Sequence, residues 1–232
     1  MDALILAGGL GTRLRSAVAD RAKSVAPVSG RPFLSYVLDH LARSGRVSRF
    51  ILCTGHQAGT VRSAFGAAFA GIPLAYSEEA QPLGTGGALS KAMAQFALSR
   101  QFLVLNGDTI LRLRVGALID FHRAQVADLT LALSYAANAE RFGTVSLNGV
   151  RIASFAARGS TKRGWINGGM YVFSPRAAKA LLNMPEKFSI ENDFFPGQIA
   201  RMRCAGYRSR AAFLDIGTPV DYLRATALLR GK

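Results

Sequence analysis

Acidic residues are scarce in this chain. Its 232 residues carry 14 Asp+Glu against 29 Lys+Arg, a formal net charge of +15, which favours encounters with nucleotides, polyanions or acidic surfaces. Cysteine is scarcer still. Cys53 and Cys204 lie far apart and without metal-ligand spacing, so two buried, reduced thiols are expected rather than a staple or a zinc site. Long apolar runs are missing too: the longest uncharged stretch, between Arg62 and Glu78, is too short and too broken by glycine to span a bilayer. Met1-Asp2 opens the chain without the basic region of a signal peptide. A soluble cytoplasmic protein with no membrane partner is therefore expected. No Gly-Lys-Ser or Gly-Lys-Thr follows the first glycine turn, and Gly-x-Ser-x-Gly is absent, so neither a Walker loop nor a serine-hydrolase elbow is available. His40, His56 and His122 show no motif spacing, and a helix-face or turn role is expected of each.

The positive charge does not by itself point to nucleic acid. Its arginines are scattered from Arg13 to Arg230, with only modest clusters at Arg158-Lys162-Arg163 and at Arg201-Arg203-Arg208-Arg210. A nucleic-acid binder concentrates such residues in a stripe or tail with aromatics for stacking. Small anionic substrates account for the excess as well, and no nucleic-acid partner is expected. Half the residues are hydrophobic, which excludes wholesale disorder. No linker or repeat divides the chain, so residues 1–232 are read as one domain.

What is present centres on Leu6-Ala7-Gly8-Gly9-Leu10-Gly11-Thr12-Arg13, which follows the apolar run 3–6. Three glycines in four positions let a backbone approach a ligand closely, and Arg13 adds a planar, permanently charged fork for phosphate oxygens. Leu14 stands where the dinucleotide fingerprint needs its third glycine. The turn therefore reads as a phosphate cradle at a strand end, not as a dehydrogenase site. Beyond a polar loop, 16–30, Pro32 opens a helix with Leu34, Val37, Leu38 and Leu41 on one face and Gly45 at its end. A strand over 48–53, a helix marked by Val61, Ala64, Phe65 and Ala68, and a strand over 74–76 follow. A second glycine turn, 82–87, runs into a helix buried at Leu89, Ala92, Met93, Phe96 and Ala97, then a strand at 102–105 delivers Asn106-Gly107-Asp108. That alternation predicts a doubly wound, mostly parallel α/β sheet whose ligands gather at the carboxyl ends of its strands. After a helix at Val115, Leu118, Ile119 and His122, strands over 129–134, 144–147, 151–155 and 165–173 suggest a small antiparallel extension. Helices are expected from about Pro175 and around Phe194, a strand over 207–214 ends at Asp215, and Thr218-Pro219 with Asp221 opens the last helix.

Asp108 and Asp215 both end strands on the cradle's edge. Paired carboxylates beside phosphate oxygens suit magnesium, a hard cation that borrows phosphate ligands and keeps several waters.

These motifs, with Lys23, the run from Ile166-Asn167-Gly168-Gly169 to Val172, Ser189-Ile190-Glu191 and Asp215-Ile216-Gly217-Thr218-Pro219, resemble in order the sugar-1-phosphate nucleotidyltransferases. The likeness covers nearly the whole chain and implies a Rossmann-like nucleotidyltransferase fold. It looks most like the guanylyltransferases of that family, in particular those acting on D-glycero-α-D-manno-heptose 1-phosphate. The resemblance implies GTP and a sugar 1-phosphate as partners, Mg2+ as cofactor, and in-line attack on the α-phosphorus with release of pyrophosphate. On this reading Leu6, Ala7, Gly8, Gly9, Gly11, Thr12, Gly84 and Thr85 contact the nucleotide and Glu79 reads the base. Arg13, Lys23 and Asp108 act on the reacting phosphates. Asn167, Gly169, Glu191 and Arg158 meet the sugar phosphate, while Asp108 and Asp215 hold the metal. Departures are visible: Ala22 and Ser24 replace prolines around Lys23, and Ala157-Arg158 replaces Glu-Lys. Glu78 beside Glu79 leaves the base-reading register open. A uridylyl- or thymidylyltransferase acting on a hexose 1-phosphate and a catalytically silent nucleotide sensor stay open, as does a homodimer.

Overall fold

The structure is a computed structural model that describes residues 1–9, 23–55 and 57–229. In chain order, β1 (Asp2–Leu6) leads to a single helical turn at Lys23–Val25, a two-residue-strand hairpin of β2 (Pro27–Val28) and β3 (Arg31–Pro32), and α1 (Phe33–Ala42). There follow β4 (Arg49–Thr54), α2 (Ala58–Phe65), β5 (Ala68–Phe69), β6 (Ile72–Glu78), α3 (Gly84–Gln95), β7 (Phe102–Asn106), β8 (Thr109–Leu111) and α4 (Val115–Ala124). The remainder comprises β9 (Leu129–Ala136), β10 (Val145–Asn148), β11 (Arg151–Phe155), β12 (Gly164–Phe173), α5 (Pro175–Leu182) and a short π-helix at Ile190–Phe194. It closes with α6 (Phe195–Gln198), β13 (Cys204–Ser209), β14 (Phe213–Asp215) and α7 (Pro219–Leu229).

Ten strands form one sheet in the order β10-β11-β13-β9-β12-β7-β1-β4-β6-β5. Central strand β1 has a parallel neighbour on each side, β7 and β4. Both its faces are covered, which is why it reads as an unbroken apolar run. Ala3 and Ile5 enter one hydrophobic cluster with Leu38, Leu118 and Ala225, whereas Leu4 enters another with Leu89, Phe173 and Leu181. Helices α1, α4 and α7 thus cover one face, and α3 and α5 the other. From β1 the chain builds outward through β4 and β6 and then returns to β7 on β1's opposite flank. That reversal separates the loops leaving β1 and β7 and opens a crevice at their carboxyl ends.

Several expectations meet the structure with changed boundaries. Ala68 is not on α2: Gly66, at φ 63°, breaks the helix and Ala68 pairs with Pro73 in β5. Phe96 and Ala97 lie just past the end of α3, and Lys23 starts a helical turn rather than a loop. The strand expected over 207–214 is two strands. β13 runs parallel to β9, so the extension is mixed and not purely antiparallel, while β14 pairs with β8 in a separate ribbon. Ala211, whose N–H donates to Ser209 Oγ at 3.1 Å, marks the turn between them. Among the described residues, no helix is long and apolar enough to cross a membrane.

Candidate active site

Where β1 ends, the Ala7 N–H donates to the Cys53 carbonyl at 2.8 Å and the Gly107 N–H to the Leu6 carbonyl at 2.9 Å. Beyond those last rungs the strands part around a cavity of about 780 Å³. Leu6, Ala7, Gly8 and Gly9 form one wall, Lys23, Asp108 and Asp215 the floor, and Glu79, Gly84 and Thr85 the adjoining side. Asn167, Gly169, Arg158 and Glu191 close the rest. The structure therefore brings together fourteen of the residues singled out from the sequence. Gly11, Thr12 and Arg13 lie outside the described residues.

Gly8 and Gly9 have different reasons to be glycine. A Cβ on Gly8 would come within 2.9 Å of the Gly55 nitrogen and 3.0 Å of Glu79 Oε1, whereas one on Gly9 would meet nothing within 4 Å. Both line the cavity, and among the described residues only the Gly9 position has room for a side chain.

The acids converge through the small ribbon, not through the main sheet. Asp215 is paired in register with Thr109, and the Ile216 N–H donates to the Asp108 carbonyl at 3.1 Å. That pairing fixes a residue beyond β7 beside one more than a hundred positions later. Lys23 Nζ forms an ion pair with Asp108 Oδ2. Burial pushes the Asp215 carboxyl above its ordinary range, and Asp108's negative charge adds to the push, while Lys23 and the Gly217 N–H oppose it. Two carboxylates share the crevice, and the Lys23 ammonium offsets part of their charge. Among the described residues no group of three or more His, Cys, Asp or Glu could hold a metal ion. An ion here would take two carboxylates and complete its shell from water and phosphate, the habit of Mg2+ rather than of zinc or calcium.

The two neighbouring glutamates face apart. Glu78 is exposed and accepts from Arg62 Nη2 at 3.1 Å, whereas Glu79 turns inward over Gly8 and Gly55. Glu79 Oε2 accepts the Leu83 N–H at 3.1 Å, and burial raises its carboxyl above the ordinary glutamate range. Of the two, Glu79 lines the cavity and Glu78 does not.

The second glycine turn, by contrast, is occupied by protein. Gly84 sits at φ 76° and its Cβ would strike the Phe188 carbonyl; a Cβ on Gly86 would overlap the Phe188 ring. The Gly86 N–H donates to the Phe188 carbonyl at 3.0 Å. Thr85 Oγ1 accepts the Ile190 N–H at 2.9 Å and donates to Glu191 Oε2 at 2.8 Å. This turn is a platform that carries Glu191 to the cavity. Gly84 and Thr85 themselves also line the cavity.

Asn167 is held from both ends: Nδ2 donates to the Tyr171 hydroxyl at 2.7 Å and Oδ1 accepts the Gly169 N–H at 3.0 Å. A bulge between Asn167 and Tyr171 puts Gly169 at φ 71° over Thr109, where a Cβ would collide with the Thr109 hydroxyl. Arg158 is exposed on the turn after β11. Also on the wall is a loop that motif reading missed, Arg141, Phe142, Gly143 and Thr144. Its sequence signal is slight, an arginine ahead of Phe-Gly.

The chain matches the nucleotidyl transferase family model over residues 2–231. It is 39% identical to the D-glycero-alpha-D-manno-heptose 1-phosphate guanylyltransferase of Aneurinibacillus thermoaerophilus, covering 97% of this chain and 96% of that protein. The enzyme of the same name from Campylobacter jejuni is 34% identical over 96% and 97%. Among solved structures, HddC from Yersinia pseudotuberculosis complexed with GMP-PN superposes with a TM-score of 0.86 at 32% identity, covering 99% of both chains.

Proposed function

We propose a reaction for this chain, which belongs to the nucleotidyl transferase family: residues 1–232 act as one domain that transfers GMP from GTP to a sugar 1-phosphate and releases pyrophosphate. The acceptor is D-glycero-α-D-manno-heptose 1-phosphate and the product GDP-heptose, in keeping with the activity named for the relatives above. The observation that carries the reading is the convergence of Lys23, Asp108 and Asp215 in one cavity with an inward-facing Glu79.

Both reactants are anions, and their repulsion is the first barrier to their meeting. Lys23, close to the acids, gives its ammonium to the phosphate under attack. Asp108 and Asp215 would hold Mg2+, which would supply positive charge beside the reacting phosphates. Backbone N–H groups at Gly8 and Gly9 take the nucleotide's phosphates. The sugar phosphate oxygen attacks the α-phosphorus, the bond to the β-phosphate bridging oxygen breaks, and pyrophosphate leaves with that electron pair. No covalent enzyme intermediate is needed, so the rate rests on positioning and charge neutralisation. Glu79 selects the base: a carboxylate accepts both the N1–H and the 2-amino group of guanine, a pair that uracil and thymine do not offer. Asn167 and Glu191, each pre-oriented by the bonds described, meet sugar hydroxyls, and Arg158 meets the sugar phosphate.

Pyrophosphate release measured for GTP, UTP, dTTP and ATP against mannose- and heptose-type 1-phosphates tests the reading. GTP with the manno-heptose 1-phosphate is expected to lead. Equal turnover with UTP would overturn the role of Glu79, and no turnover with any pair would overturn the reaction.

A further inference from the structure

The loop 139–144 meets the start of α7 across the rim of the cavity, and an ion pair joins them. Arg141 Nη1 donates to Asp221 Oδ1 at 3.1 Å while Nη2 donates to Oδ2. A two-pronged pair fixes direction as well as distance. Asp221 is itself held, because its Oδ2 accepts from Thr218 Oγ1 at 2.6 Å and its N–H donates to the same hydroxyl at 3.3 Å. The charges support each other: the Arg141 fork draws the Asp221 carboxyl below the ordinary range. The Arg141 side chain is 44% exposed and that of Asp221 15%. A rim pair of that kind adds little to fold stability. Its place on the molecule suggests a different use.

Arg141, Phe142, Gly143 and Thr144 all line the cavity. The Phe142 ring meets Phe213 edge-on, with centroids 5.7 Å apart, and Phe213 stands two residues before Asp215 on β14. The loop therefore grips the strand before Asp215 through Phe142 and the helix after it through Arg141. On its other side, the Gly159 N–H donates to the Glu140 carbonyl at 2.8 Å and the Ala156 N–H to the Thr144 carbonyl at 2.7 Å, which ties the loop to the turn that carries Arg158. Gly9 and Glu79, assigned to the nucleotide's phosphates and base, follow β1 and β6, away from the β10–β11 end of the sheet.

We propose that the Arg141–Asp221 fork is a positioning device for the acceptor: it sets the 142–144 wall and the Arg158 turn at a fixed separation from Asp215, so that the sugar 1-phosphate enters aimed at the reaction centre. The proposal rests on the reaction assigned above and deepens it. Arg141 acts through the wall it holds and is a positioning residue, not a catalytic one.

The test is steady-state kinetics with each substrate varied in turn, on the wild type, Arg141→Gln, Arg141→Lys, Asp221→Asn and the exchanged pair Arg141→Asp/Asp221→Arg. Misplacing a wall by a fraction of an ångström costs a sizeable part of its effect, so Arg141→Gln and Asp221→Asn should each raise KM for the sugar 1-phosphate about tenfold, and KM for GTP less than about twofold. Arg141→Lys keeps one prong and should fall between, and the exchanged pair should recover part of the loss. Asp221→Asn can still accept from Thr218, which separates loss of the fork from loss of the helix start. Equal rises in both KM values, or an unchanged sugar KM, would overturn the proposal. So would a rise with Arg141→Gln alone, which would make Arg141 a direct substrate contact. Wild-type protein without guanylyl transfer would sink the underlying reaction, and the fork's role with it; transfer with an unsplit KM pattern would sink the fork alone.

Discussion

A Cβ placed on Gly9, just past β1, would meet no atom of the described residues within 4 Å, whereas one placed on Gly84, at the start of α3, would land on the Phe188 carbonyl. Both turns are glycine-rich and both border the same cavity. Glycine marks a close approach of backbone to something. Among the described residues, nothing fills the space beside Gly9, which lines a cavity with two acids and a lysine; at the second turn the segment carrying Glu191 fills it. Substitutions around the first should therefore cost function and spare the fold, and those in the second should cost the fold first.

The largest effect is expected on the open side. Asp108→Ala removes the Lys23 partner and one of the two carboxylates proposed to hold the metal, and should lower kcat/KM about 10³-fold or more in a pyrophosphate-release assay, with the thermal midpoint nearly unchanged. An undiminished rate would break the comparison at its functional end. Gly84→Ala comes next, since a side chain at φ 76° is strained and its Cβ meets backbone rather than a yielding side chain. It should destabilise the fold by about 2–4 kcal/mol in denaturant titration. A wild-type midpoint would mean that the second turn is as free as the first.

Smaller, and sharper, is Glu79→Gln. Leaving guanine's donors imperfectly matched should cut the preference for GTP over UTP by about 10- to 100-fold. The sign of its pH effect follows from burial. With the folded-state carboxyl raised above its ordinary value of 4.5, Glu79 contributes stability below that value and loses it as pH rises through the folded one. The Gln variant should thus gain stability relative to wild type on going from acid to neutral pH, while wild-type activity with GTP fades on acidification sooner than an ordinary glutamate would dictate. Parallel pH curves would contradict this. The mildest change is Gly9→Ala: stability within about 0.5 kcal/mol of wild type, with a rise in KM for GTP as its only visible cost. A matching loss of stability would erase the distinction between the turns.

Much of the fold was legible because its parallel half is buried on both faces. The runs 3–6 and 102–105 carry no polar interruption, and the acids and glycines that follow them fall on one edge by topology alone. The mixed half was harder. Nothing in the string 207–214 announces that the turn near Ala211 sends the two halves to different sheets, and yet the β8–β14 ribbon it creates is what unites Asp108 with Asp215. Glu78 and Glu79 could not be told apart without knowing that β6 ends between them, one side chain facing Arg62 and the next facing Gly8. Arg141 was missed because a lone arginine in a loop carries no signal until Asp221 is seen beside it. At 84–87 the glycines show in composition that something approaches closely, but not that the approaching group is Phe188.

The central claim is that one cavity holds both anionic reactants, with guanine against Glu79 and the α-phosphate beside Lys23, Asp108 and Asp215. The most direct measurement is a crystal structure of the protein with Mg2+, a non-hydrolysable GTP analogue and the sugar 1-phosphate. The account predicts the base within hydrogen-bond distance of the Glu79 carboxylate and an ion bridging Asp108, Asp215 and phosphate oxygens. A nucleotide bound away from Gly9, or acids left without an ion between the two substrates, would contradict it.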